Sequence, residues 1–354
     1  MHRAALFLRE ETDGIVHCGL CPRRCAIPSG SLGACGARGN KNGKGIVPLY
    51  GHITALALDP IEKKPLFHFR PGSMILSAGF AGCNLRCPFC QNWHISQSAT
   101  AFSGDVPGRQ MQPGDIISAA LHEDSSMIAY TYSEPLVHAE FLIDCMTLAH
   151  RHGIANVLVT NGCANAEAAR EILSLTDAAN IDLKCFSADT YAKVLGGVVS
   201  AGNDVSVFQT VLDFIRLACS MGVHVEITTL VVPDLNDTVE ELDLCADFIA
   251  SLGGVPLVQV PWHLSAYHPD YRWNAPPTDP AFLREIKNRA AQKLAFVYAG
   301  NIAGDENNTF CPHCRAALIR RRGYQTDISG LAAPADGESF FRCAQCGEKT
   351  PVSC

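Results

Sequence analysis

The sequence predicts an α/β chain built on a complete or partial parallel (β/α) barrel. A small cysteine-rich module precedes the barrel, and a zinc-ribbon-like module follows it. Three observations predict this. Short apolar runs with β-branched residues alternate with helix-like segments from about Met74 to Gly300. The chain has 354 residues, enough for one large α/β domain and one or two small modules. Of its 17 cysteines, twelve fall in four tight groups or at the extreme C-terminus.

The expected units are 1–55, 56–302 and 303–354. Residues 1 to about 45 are rich in Gly, Cys and charge and lack periodicity. From "GIVPLYGHITALALDPIEKKPLFHF" the pattern is strand-like, up to Pro71 and Gly72. Seven runs then read as buried strands: "MILSAGF", "MIAYTY", "ANVLVT", "AANIDL", "VHVEITTL", "PLVQV" and "AFVYAG". Between them, Asp237 with Glu240 predicts a capping box, and Gly253 or Gly254 a helix stop. Asp279 is expected at an N-cap with Pro280 at the first helical position. Six or seven such βα units make a barrel whose chemistry lies at the C-terminal ends of its strands.

Hydrophobic residues make up 47% of the chain, which supports a sizeable core. The net charge of −7 argues against nucleic acid as a partner. No apolar run reaches membrane-spanning length, and the N-terminus, with Arg9, Glu10, Glu11 and Asp13 after a short apolar run, is not secretory. A cytoplasmic, reducing location follows, where clustered cysteines mean metal binding. Cys145, Cys163, Cys185, Cys219 and Cys245 stand apart and read as small buried hydrophobes.

The stretch "CNLRCPFC" gives Cys83, Cys87 and Cys90 in one loop after the first barrel strand. Structural zinc wants four closed ligands. A cubane iron–sulfur cluster on three thiolates keeps one iron open for another ligand. A zinc site completed by a remote residue is the alternative. At the C-terminus, Cys311, Cys314, Cys343 and Cys346 form two CxxC knuckles suited to zinc or a single iron. At the N-terminus, Cys18, Cys21, Cys25 and Cys35 supply four thiolates for zinc or an auxiliary iron–sulfur cluster, and His17 could replace one. Cys354 reads as spare, and Arg320 to Arg322 as a solvated strand face.

The spacing Cys83-x3-Cys87-x-Phe89-Cys90 resembles the signature of radical S-adenosylmethionine (SAM) enzymes. The resemblance implies a 4Fe-4S cluster whose open iron is chelated by the methionine part of SAM. It implies reductive cleavage of SAM to a 5′-deoxyadenosyl radical that abstracts hydrogen from a substrate. A low-potential donor such as flavodoxin or ferredoxin is then needed. In "YTYSEP" the chain keeps the Glu and Pro of the family's Gly-Gly-Glu-Pro, so Ser133 and Glu134 are expected at the SAM ammonium. Similarity to pyruvate formate-lyase activating enzymes adds Thr160, Asn161, Asp182, Lys184 and His263 to the SAM or substrate pocket. His268 and Tyr271 are weaker candidates. Two departures stand out: Val159 replaces an Asp of a cation site, and Thr228 an Arg.

More narrowly, "LDPIEKKPLFHFRPGS", "CNLRCPFCQNW", "PWHLSAYHPDY" and "VYAGNI" look like the radical SAM member of the AmmeMemoRadiSam system. That resemblance implies AMMECR1-like and MEMO-like proteins as partners. The expected function is hydrogen abstraction from an unidentified small molecule or protein. The alternatives are a glycyl-radical-enzyme activase and a non-catalytic metal-binding interaction protein.

Overall fold

Eight strands make the main sheet: β1 (Ala55–Pro60), β2 (Met74–Gly79), β3 (Met127–Thr131), β4 (Ala155–Thr160), β5 (Ala178–Asp182), β6 (His224–Val231), β7 (Trp262–Ala266) and β8 (Val297–Gly300). The computed structural model describes residues 6–97, 106–197, 206–252, 259–304, 307–335 and 337–354. Strands β2 to β8 lie side by side in chain order and all run parallel, while β1 pairs antiparallel with β2 at the edge. Within the described residues β1 and β8 are not paired, so this is a partial barrel.

Among the described residues, besides the single turn Trp93–Ser96, seven helices follow the strands: α1 (Pro113–His122), α2 (Ala139–Arg151), α3 (Ala166–Leu173), α4 (Ala188–Lys193), α5 (Val207–Ser220), α6 (Val239–Ser251) and α7 (Pro280–Ala290). Strand alternation divides the apolar residues into two groups. Leu76, Ile128, Leu158, Ile181 and Ile227 join the helices in one large core. Ile75, Met127, Ala129, Val157 and Ala178 face inward, onto Ile61, Leu66 and Phe69.

That inward contact corrects one expectation. The stretch "EKKPLFHF" is not strand. It forms a 3-10 turn at Ile61–Lys63 and then an irregular plug in the lower barrel. The Glu226 carboxylate on β6 accepts hydrogen bonds from the Phe67 and His68 amides at 2.9 and 2.7 Å. His224 and His263 Nε2 lie 3.1 and 2.7 Å from the same carboxylate.

The sixth parallel strand also differs. "PLVQV" falls mostly outside the described residues, and the strand is Trp262–Ala266. Trp262, Leu264 and Ala266 join the outer core, while His263 and Ser265 face inward. The inward polar residues hid the strand in a sequence search for apolar runs. Helix α6 is capped by Thr238, whose hydroxyl accepts from the Glu241 amide, rather than by Asp237. Asp237 instead caps the preceding turn at Asp234. Gly253 and Gly254 lie outside the described residues. Asp279 does cap α7, with Pro280 first in the helix.

The C-terminal strands sit under the plug. Ser353 donates to the His68 carbonyl at 2.8 Å, and Arg321 to the Phe67 carbonyl at 2.6 Å. Arg321 also bonds Thr309 Oγ1 and lies over the Phe67 ring. It is therefore buried, contrary to the solvated face expected of Arg320 to Arg322; only Arg320 and Arg322 point outward. No helix of the described residues is long and apolar enough to cross a membrane.

Candidate active site

The C-terminal ends of parallel strands surround a cavity of about 320 Å³. The loop after β2 brings Cys83, Cys87, Phe89 and Cys90 to its wall. That loop is held from several sides. Leu85 N donates to Cys83 Sγ at 3.3 Å, and Cys90 Sγ lies 3.2 Å from Ser96 Oγ. Burial pushes the Cys83 thiol well up, with Glu134 and Cys87 adding to the effect. Burial also lifts Cys87 to about 12.

Glu134 follows β3. Its carboxylate accepts from Thr160 Oγ1 at 2.6 Å, the Leu136 amide at 3.0 Å and the Asn161 amide at 2.8 Å. A carboxylate offers about four lone-pair sites, so about one remains for a donor in the cavity. Burial raises the Glu134 pKa to about 7, against the pull of these three donors. Glu134 thus caps the turn Pro135–His138 and lines the cavity at once. The tight turn after β4 makes this possible. Gly162 sits at φ +67°, where an added Cβ would meet Phe214 at 3.1 Å. The turn aims the Asn161 amide at Glu134, while the Asn161 side chain reaches Asn84 Oδ1 at 2.9 Å.

Asp182 ends β5, and Lys184 follows it. Their ion pair spans 2.8 Å on the cavity wall. Burial opposes the Lys184 charge, but Asp182 and the nearby cysteines raise its pKa above that of an ordinary lysine.

Three thiols on one open wall are a donor set that fits a cubane with one iron left free. Among the described residues, the one set of three or more metal-ligating groups with atoms all within 4.8 Å of one another is C-terminal. Cys83, Cys87 and Cys90 share the cavity wall, three thiols with no fourth cysteine lining it among the described residues. Thr228 Oγ1, buried at the same wall, has no hydrogen-bond partner.

A family model, the radical SAM superfamily, matches residues 79–249. The chain belongs to the radical SAM superfamily. It is 39% identical over 353 residues to an uncharacterized protein, MJ0808, of Methanocaldococcus jannaschii, covering 99% of both chains. It is 29% identical over 194 residues to the pyruvate formate-lyase-activating enzyme of Clostridium pasteurianum, covering 52% of this chain and 73% of that one. A solved radical SAM methyltransferase from Sphaerobacter thermophilus overlays with a TM-score of 0.47 at 13% identity, covering 65% of this chain and 67% of that one.

In this radical SAM chain, Ser133, Glu134, Asn161, Asp182 and Lys184 all reach the cavity of the three cysteines. Two expected pocket residues do not. Thr160 is buried behind Glu134 and positions its carboxylate. His263 lies low in β7 against Glu226, between Phe67 and Tyr298, and does not line the cavity. His268 and Tyr271 touch the outer side of the cysteine loop. His268 is 3.3 Å from Gln91, and the Tyr271 ring stacks on Trp93 at 5.2 Å.

Several wall residues were missed. Lys63, Lys64 and Tyr132 line the cavity and converge on Asp59 at 2.9, 2.8 and 2.7 Å. Burial alone would raise the Asp59 pKa, but Lys64 and Tyr132 hold it well below the usual carboxylate range. The Lys-Lys pair in "IEKKPL" was the available signal. Ser265 and Asn301, at the ends of β7 and β8, complete the far wall.

The outer cysteines form two further groups. Cys311 and Cys346 Sγ lie 3.8 Å apart, and Cys314 and Cys343 Sγ 3.6 Å apart. A tetrahedral ion with bonds of about 2.3 Å to sulfur separates its thiolates by about 3.8 Å, so this group fits one metal ion. Cys18, Cys21, Cys25 and Cys35 line a separate small cavity, which His17 does not reach.

Proposed function

We propose that Cys83, Cys87 and Cys90 hold a 4Fe-4S cluster and that the adjoining cavity binds SAM. Bound there, the reduced cluster and SAM would supply a 5′-deoxyadenosyl radical that abstracts hydrogen from a small-molecule or protein substrate. The observation that carries this reading is the convergence of the three thiols with Glu134 and the Asp182–Lys184 pair on one wall.

Each residue has a task. Glu134 accepts the SAM ammonium as a charge-assisted hydrogen bond through its remaining lone pair. Thr160 and the Asn161 amide hold that carboxylate in place. Asp182 and Lys184 present a carboxylate and an ammonium to the polar parts of SAM or the substrate. Phe89, Val159 and Leu230 give the cavity an apolar wall that excludes water. The electron comes from a flavodoxin- or ferredoxin-like donor in a reducing cytoplasm. AMMECR1-like and MEMO-like proteins are the proposed partners, on the strength of the motifs "LDPIEKKPLFHFRPGS" and "PWHLSAYHPDY".

A second reading, activation of a glycyl-radical enzyme, is favoured by the 29% identity to the Clostridium activating enzyme. Val159 and Thr228 on the cavity wall, where those enzymes carry Asp and Arg, weigh against it. The C-terminal cysteines are assigned a structural zinc ion, with iron as the alternative.

Electron paramagnetic resonance of the dithionite-reduced protein tests the cofactor pocket. The expected result is a cluster signal that shifts when SAM is added and is lost in Cys87→Ala. A wild-type cluster signal that ignores SAM would favour a metal-binding scaffold without catalysis.

A further inference from the structure

The central cavity has two unlike ends. At one end the cysteine loop and Glu134 lie beside each other, and the Glu134 amide donates to the Gly82 carbonyl at 3.4 Å. The other end is a floor of Lys63, Lys64 and Pro65. Strand register sets its depth. Asp59, which anchors both lysines, pairs with Ile75, four residues before Gly79 at the end of β2. At about 3.3 Å per residue, Asp59 lies about 13 Å below the strand end from which the cysteine loop departs. Ile75 faces inward, so Asp59 opposite it does as well.

The floor carries more positive charge than its partners cancel. Lys63 Nζ lies 2.9 Å from Asp59 Oδ1, and Lys64 Nζ 2.8 Å from Asp59 Oδ2. Two ammonium groups thus share one carboxylate. Glu62 does not supply the missing charge. Its carboxylate turns away and accepts from Gly72 N at 2.8 Å and Thr326 Oγ1 at 2.9 Å. On the rest of the wall Asp182 pairs with Lys184, and Glu134 belongs to the cysteine end. Lys64 is 3% exposed, and burial lowers its pKa while Asp59 opposes this. An ammonium has three donors, and among the described residues Lys64 Nζ has one hydrogen-bond acceptor, Asp59. Its other neighbour is the Tyr132 ring, 4.6 Å away. A buried cation with an unmatched charge beside it gains from an added anion.

Tyr132 holds this floor in place. It stands at φ +71°, a conformation that favours glycine. Its ring lies over Gly79, where a Cβ would come within 2.7 Å of Cδ2, and its hydroxyl donates to Asp59 Oδ2 at 2.7 Å. Burial, with Asp59, pushes this phenol up to about 12, so it stays a donor. Asp59 lies behind the wall that both lysines line. We propose that Lys63 and Lys64 form an anion subsite for the substrate, so that the molecule losing hydrogen carries a carboxylate or phosphate group. This deepens the function proposed above and rests on SAM occupying the cysteine end. Asp59 and Tyr132 are positioning residues. The same wall offers Thr228 Oγ1, buried without a partner, and Ser265 and Asn301 to the neutral polar parts of such a substrate.

The test is calorimetric titration of inorganic phosphate and of malonate, at constant ionic strength, into the reconstituted, unreduced full chain with and without SAM. The expected result is binding of these probes in both states. Lys63→Gln leaves Lys64 matched by Asp59 alone, so it should weaken the probes about tenfold and leave SAM affinity unchanged. Lys63→Arg keeps the charge and should keep the probe affinity. The Lys63 side chain is 46% exposed, so neither variant has to repack the interior. A wild type that binds neither probe would overturn the proposal, as would probe binding unchanged in Lys63→Gln. Displacement of the probes by SAM, with Lys63→Gln weakening SAM itself, would also overturn it, because the floor would then hold the SAM carboxylate. A wild type that binds the probes through Lys63 but takes up no SAM would support the subsite and overturn the cofactor reading alone.

Discussion

Glu134 is the residue on which the pocket turns. Its three protein donors fix both carboxylate oxygens before any ligand arrives. A charge-assisted hydrogen bond contributes about 1.5–3 kcal/mol, so Glu134→Gln should weaken SAM binding roughly tenfold to a hundredfold. Burial raises this carboxyl to about 7. A cationic ligand needs the carboxylate, and below that pH it must displace a proton. SAM affinity should therefore fall as pH drops from 8 to 6, and the fall should vanish in Glu134→Gln. Calorimetric titration at several pH values checks both. That Cys83, Cys87, Cys90, Glu134, Asn161, Asp182 and Lys184 meet at one cavity was legible in the sequence, because each lies at or after the end of a parallel strand. Thr160 and His263 do not line it, and the sequence did not show this because neighbourhood in sequence does not tell which side of a strand a residue faces.

At the scale of elements, the plug between Ile61 and Arg70 links the sheet to the C-terminal module. Its amides satisfy Glu226 on β6, and its carbonyls are taken by Arg321 and Ser353. Arg321→Ala would leave the Phe67 carbonyl without its donor and remove a buried cation from two aromatic rings. A loss of about 3 kcal/mol is expected, seen as a lower urea midpoint. The parallel strands with apolar runs were legible, because both faces of such strands are covered. β7 was not, since its inward side chains are His263 and Ser265. The plug was taken for strand because its apolar residues, Ile61, Leu66 and Phe69, fill a barrel without lying in a sheet. Arg321 was hidden between two exposed arginines by the same alternation.

For the whole molecule, two buried histidines set an acid limit. Burial lowers His68 to about 3 and His138 to about 4. Between those values and an unfolded value of about 6.5, the unfolded chain binds protons that the folded chain does not. Stability is therefore intact above about pH 6.5 and is lost as pH falls below it. Each histidine contributes up to about 1.4 kcal/mol per pH unit in that window. Glu134, raised to about 7, offsets one of the two, so the net decline is that of about one histidine. Urea midpoints measured from pH 7.5 to 5 should decline, and a flat profile would contradict this burial. The cavity lies at the C-terminal ends of the parallel strands, and the C-terminal strands meet the plug through Arg321 and Ser353.

The most direct measurement of the central claim is 5′-deoxyadenosine formation by the anaerobically purified, reconstituted and dithionite-reduced protein with SAM. The account predicts nucleoside product from wild type, none from Cys87→Ala, and a reduced yield at limiting SAM from Glu134→Gln. Absence of product from a wild type that carries a full cluster would contradict it.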